Sequence, residues 1–163
     1  MEETYPILDG FLFKRKLRCN MTFLALSIRE YEALRRAGAY RSKMWTFPSD
    51  PTAFPIPARG SSEFQTRVKP GSAIWGYQFI GNTGQDDGAG ESEVQSFEVR
   101  DGCDDTALFS EPNTRQFDSR PQIQHLTKVW VLCPPGLINV VIASTYGTDQ
   151  NSQLILYGGE PVG

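Results

Sequence analysis

Apolar residues recur at every second position through much of this chain, in short runs broken by Gly, Pro, Asn and Asp. A period of two places alternate side chains on opposite faces of an extended segment, so each run predicts a strand. Lys14 to Leu26 alternates basic and apolar residues, with Leu17, Cys19, Met21 and Phe23 on one parity. Ala73 to Ile80 puts Ala73, Trp75, Tyr77 and Phe79 on one parity. Glu63 to Lys69, Val94 to Arg100 and Ala107 to Ser110 are further candidates. The last third holds three β-rich runs, up to Cys133, from Leu137 to Ser144 and from Gln153 to Pro161. They are separated by Pro134-Pro135-Gly136 and by the polar stretch Tyr146 to Ser152.

One segment departs from this period. Ser27-Ile-Arg-Glu30 is a capping box, in which the Ser27 hydroxyl accepts from the Glu30 N–H while the Glu30 carboxylate reaches back. Leu26 and Tyr31 are spaced for a hydrophobic staple, Ile28, Tyr31 and Leu34 share a face, and Gly38 supplies a left-handed stop. These signals predict one short surface helix over about residues 28–37. From Pro48 to Pro57 four prolines fall in ten residues, which predicts an extended loop. Gly81 to Ser92 reads as a long acidic hairpin tip.

About eight short strands with turn signals between them predict an all-β fold, an antiparallel β-sandwich or jelly roll. Residues 1–26 read as an extended N-terminal arm and first strand. Residues 27–163 read as the sandwich carrying the loop 48–57, in a single domain of a length that buries a real core.

Composition adds limits. The 15 Gly and 11 Pro residues fit a turn-rich protein. No run of about 20 apolar residues is present, and the first residues lack the pattern of a secretory signal. Three cysteines, Cys19, Cys103 and Cys133, have no spacing that implies a disulfide framework or a zinc site, so a reducing cytoplasm and buried roles for Cys19 and Cys133 are expected. The net charge of −3 conceals an asymmetry: residues 1–70 hold 12 Lys/Arg against 7 Asp/Glu, and residues 71–163 hold 4 against 12. Opposed halves neutralise each other within one domain or between neighbouring subunits.

Candidate chemistry is sparse. The one histidine, His125, stands just before an expected strand and reads as a polar or packing residue rather than a catalytic base. Asp86-Asp87 and Asp104-Asp105 sit in Gly-containing turns, where Asp is favoured by its own backbone hydrogen bonds. They lack the full spacing of a calcium loop, so residues 86–93 remain an open calcium candidate. Lys14, Arg15, Lys16 and Arg18 lie among Phe11, Phe13 and Phe23. That mixture occurs in nucleic-acid binders, but with overall acidity it fits better a charged strand face that meets an acidic protein surface. Trp45, Trp75 and Trp130 are expected in the core, with a sugar platform as the alternative.

The order of segments in the second half resembles auxiliary structural proteins of tailed bacteriophages. The resemblance runs over residues 70–161 through Ala73-Ile-Trp-Gly-Tyr-Gln-Phe, Phe97-Glu-Val-Arg-Asp with Leu108-Phe109-Ser110, Trp130-Val-Leu-Cys-Pro-Pro-Gly-Leu-Ile-Asn-Val-Val-Ile and Gln153-Leu-Ile-Leu-Tyr-Gly-Gly-Glu-Pro. Together they look like the strands of small jelly-roll virion proteins of the decoration or cement kind. That resemblance implies a non-enzymatic virion subunit, assembled in the host cytoplasm, with no cofactor or metal. Its partners would be the major capsid protein or other virion proteins, and itself as a homodimer or homotrimer, with no nucleic acid and no membrane. The expected contact residues are Tyr5, Phe11, Phe13, Lys14, Arg15, Lys16 and Arg18 in the arm and Phe54 and Ile56 in the loop. The competing expectation is a carbohydrate-binding or host-attachment module on a tail or head fibre. A hydrolase built on paired carboxylates is the least favoured.

Overall fold

The structure, a computed structural model, describes residues 23–80, 95–102, 107–114, 123–132, 134 and 136–163. These form β1 (Phe23–Leu26), α1 (Ile28–Arg36), β2 (Tyr40–Phe47), β3 (Ser61–Arg67), β4 (Ala73–Ile80), β5 (Gln95–Asp101), β6 (Ala107–Thr114), β7 (Gln124–Leu132), β8 (Leu137–Ser144) and β9 (Gln153–Pro161).

The pairing rule is simple. β2 pairs with β9, β3 with β8, β4 with β7 and β5 with β6, all antiparallel. Nested pairs of this kind are one long double-stranded hairpin. Rolling it up brings β4 against β9 and β5 against β8. Two sheets result, ordered β1-β7-β4-β9-β2 and β3-β8-β5-β6. This is an eight-stranded jelly roll with β1 added beside β7.

The alternation read in the sequence is what drives the roll shut. Phe47, Ile74, Phe79, Leu132, Leu154 and Leu156 of the first sheet face Phe97, Val99, Ile138, Val140 and Ile142 of the second in one buried cluster. Burying each such side chain stabilises the fold by about 1.5–3 kcal/mol. Between β7 and β8 the chain turns at Gly136, whose φ is +73°. A Cβ there would also lie 2.5 Å from the Val68 carbonyl oxygen, so this turn takes glycine on both counts. The Gly136 carbonyl in return accepts from the Val68 N–H at 3.0 Å, which ties the turn to the end of β3. The polar stretch before β9 is likewise anchored. Gln95 accepts from the Ser152 hydroxyl, and Gln150 donates to the Thr148 hydroxyl at 3.0 Å.

The helix forms as its capping box predicts: Ser27 Oγ accepts from the Glu30 N–H at 3.1 Å, and Glu30 Oε2 accepts from the Ser27 N–H at 3.1 Å. Gly38 has φ +81°. Leu26 and Tyr31, the staple pair, join Ala39, Tyr40, Ala73, Val129 and Val131 in a second buried cluster. α1 therefore covers part of the first sheet's outer face and leaves the rest open.

Three sequence expectations need correction, and one strand has no counterpart among them. β2 was not announced by alternation: Arg41, Ser42, Lys43 and Met44 are all exposed, because β2 is an edge strand. A register shift between Ile74 and Gly76 splits β4, so Ala73 and Trp75 pack with the outer cluster while Tyr77 packs against the inner one. His125 lies within β7, not before it. β6 runs on to Thr114. Of the expected strand Lys14–Leu26 only the last four residues are described. The acidic tip 81–92, the pairs Asp86-Asp87 and Asp104-Asp105, and the three cysteines lie outside the described residues.

Candidate functional site

Among the described residues, two recesses combine an exposed apolar side chain with aromatic rings in their lining. The first is the flank where β2 and β3, edge strands of the two sheets, lie side by side beneath the proline-rich loop. A groove of about 360 Å³ runs there between Trp45, Phe47, Pro48, Phe54 and Phe64. The loop over it is held in shape by its own hydrogen bonds. Asp50 accepts from the Thr52 hydroxyl at 2.7 Å, the Thr52 N–H at 3.0 Å and the Ala53 N–H at 3.3 Å. These bonds, the Thr52 hydroxyl first, hold the Asp50 carboxyl below its usual range. Further along, the Ala58 N–H donates to Asp149 Oδ1 at 2.9 Å and the Arg59 N–H to the Tyr146 carbonyl at 2.8 Å.

The two loop residues expected to touch a partner part company here. Phe54 is 58% exposed at the rim of the groove. Ile56 is 0% exposed, and its backbone bridges Gln150 in both directions at 2.8 and 2.9 Å. Ile56 is thus a core anchor that fixes the loop, and it presents nothing to a partner. Tyr5, Phe11, Phe13, Lys14, Arg15, Lys16 and Arg18 lie outside the described residues.

The second surface is the open part of the first sheet's outer face. The register aligns Met44 with Tyr157, Tyr157 with Gly76 and Gly76 with His125 across four strands. The β4 register shift brings Trp75 into this row. Its ring stacks on the His125 ring at 5.0 Å and 25°, and sits 5.7 Å from Tyr157. The Tyr157 hydroxyl donates to Gln78 at 2.7 Å, and Met44 is 53% exposed. Between this row and α1 lies a groove of about 220 Å³. Trp45 and Trp130 pack against the main core as the sequence suggested. Trp75, expected in the core with a sugar platform as the alternative, lies instead on the outer face, because alternation alone carries no sign of the register shift that turns it outward.

Burial is the main influence on Tyr31, which lines the second groove: it raises the phenol above its ordinary value, and the nearby Arg35 charge partly opposes it. Among the described residues no group of three or more His, Cys, Asp or Glu is placed to hold a metal ion, and no helix is long and apolar enough to cross a membrane.

No family model matches the sequence, and no curated protein matches it. Among solved structures the chain is similar to dimeric latent PorU from Porphyromonas gingivalis, at 9% identity and a TM-score of 0.38. The match covers 76% of this chain and 13% of that one. The chain therefore spans a small fraction of that protein's length, and a likeness this slight assigns no role.

Proposed function

We propose that this chain is a non-enzymatic structural subunit of a virus particle, of the capsid decoration or cement kind, that docks through the flank between β2 and β3. The observation that carries the reading is Phe54. It is a large apolar side chain held out on a hydrogen-bonded loop, at the mouth of a groove lined by Trp45 and Phe64. An aromatic anchor on a preformed loop is what a protein partner uses best, since little conformational freedom is lost when it docks. The jelly roll supports the reading by analogy only: the architecture serves viral capsid proteins, and it serves other proteins too.

The partner in this reading is the major capsid protein or another virion protein, with the chain itself a homodimer or homotrimer and its site of action the virion. The test is direct. Purified protein added to shells that lack it should bind and raise their disruption temperature, and Phe54→Ser should abolish binding while leaving the protein's own urea midpoint unchanged. Shells that neither bind the protein nor gain stability, with the chain absent from purified particles by mass spectrometry, would sink the proposal.

A further inference from the structure

The groove between α1 and the outer face of the first sheet has the chemistry of a ligand site, and the decoration reading makes no use of it. Its floor is Trp75, extended by the exposed ring of His125 stacked on it at 5.0 Å. Its walls carry Tyr31, Glu32 and Arg35 from α1 and Ser42 from β2. Tyr31 is only 4% exposed, yet among the described residues its hydroxyl has no hydrogen-bond partner. Lining the groove with no protein partner, that hydroxyl is free to hydrogen-bond water or a polar ligand. Arg35 is likewise without an ion pair among the described residues, since the carboxylate of Glu32 lies toward Arg36, at 4.0 Å.

The donor set narrows the ligand class. Arg35 only donates, Glu32 only accepts, and the Tyr31 and Ser42 hydroxyls do both. The walls thus carry both donors and acceptors, which suits a ligand whose groups both donate and accept. Hydroxyl groups do so. An aromatic floor suits a ring with an apolar C–H face. The volume, about 220 Å³, falls below the ~300 Å³ at which pockets for drug-sized ligands begin, so one ring fits and a longer chain would run out past His125. We propose that this groove binds a single neutral sugar residue, stacked on Trp75 and His125 and hydrogen-bonded by Tyr31, Arg35, Glu32 and Ser42. The site is independent of the flank at Phe54 and of the virion reading.

The test is titration of the isotope-labelled full chain with glucose, galactose, mannose and N-acetylglucosamine, and separately with glucuronate and sialic acid, followed by NMR. A ligand of about a dozen heavy atoms binding with ordinary efficiency has a Kd of about 1 mM. At least one neutral sugar should shift the signals of α1, Ser42, Trp75 and His125. Trp75→Ala should weaken that binding at least about tenfold. Arg35→Met, an exposed change that leaves the fold intact, should weaken it several-fold, and Phe54→Ser should leave it unaltered. Three results would each overturn the assignment: no shifts with any neutral sugar at about 20 mM, twenty times the expected Kd; binding of the acidic sugars only; or sugar binding that survives both Trp75→Ala and Arg35→Met.

Discussion

Replacing Gly159 by alanine should lift α1 off the sheet, and removing one oxygen from Tyr31 should largely restore it. Gly159 lies on β9 beneath the helix. A methyl group there overlaps the Tyr31 hydroxyl oxygen and sits 3.1 Å from both Cβ and Cδ1 of Tyr40, where carbon atoms prefer about 3.5–4.0 Å. Neither ring moves freely, since Tyr31 and Tyr40 are both buried in the second cluster with their rings 5.1 Å apart. Overpacking of this kind costs about 1–3 kcal/mol, and the position of the overlap puts Gly159→Ala near the upper end. Tyr31→Phe alone should be close to neutral, because the hydroxyl it deletes has no partner among the described residues.

In the Tyr31→Phe background the worst overlap is gone and only the Tyr40 contacts remain, so the cost of Gly159→Ala should fall below about 1 kcal/mol. The coupling between the two changes is then about 1–2 kcal/mol, well above the ~0.5 kcal/mol at which independent sites add. Urea midpoints of the four proteins, read by tryptophan fluorescence at constant slope, measure it. Gly158→Ala is the control. Its methyl overlaps the Ala73 carbonyl oxygen and approaches Trp45 to 2.9 Å on the opposite face, so Tyr31→Phe should bring it no relief. Equal losses for Gly159→Ala in both backgrounds would refute the argument that the Tyr31 hydroxyl sets the spacing of helix and sheet.

Three further outcomes follow from the same structure. Ser27→Ala removes the side-chain half of the capping box and should lower stability by about 1 kcal/mol in urea unfolding. Ile142→Ala empties a fully buried site between the sheets and should cost about 2–5 kcal/mol. The third concerns pH. Burial raises the Tyr31 phenol above 10.0 in the folded protein, so folding favours the neutral ring. That contribution is complete below about pH 10 and is lost as pH rises through the folded value. Urea midpoints from about pH 9 to 12 should therefore decline for the native chain more than for Tyr31→Phe.

The fold is most legible in the sequence where neighbouring residues settle the outcome. Ser27, Glu30, Leu26, Tyr31 and Gly38 define the helix within a dozen positions, and all five act as their spacing implies. Strands buried on one face, such as β5, announce themselves by strict alternation. β2 does not, because it is an edge. Its inward parity ends in Arg41 and Lys43, which reach Glu160 at 3.3 and 3.9 Å. Those two ion pairs also join the basic first half to the acidic second half within the chain. With both cations exposed they add little stability, yet they show part of the charge asymmetry being met inside one chain.

The open face escaped for a different reason. A strand's faces are fixed by parity, and a single irregularity exchanges them. With Ala73, Trp75, Tyr77 and Phe79 on one parity, an unbroken strand would send all four the same way. The shift between Ile74 and Gly76 instead leaves Tyr77 and Phe79 packed inward and delivers Trp75 to the outer face. There it meets His125, a partner about 50 positions away in the sequence. No local pattern encodes that meeting. It depends on β4 lying beside β7, which depends on the whole hairpin rolling up. The residues best placed to bind a ligand are thus those whose position is a property of the completed jelly roll, and the residues that sequence spacing identified most clearly, in α1, form the wall beside them.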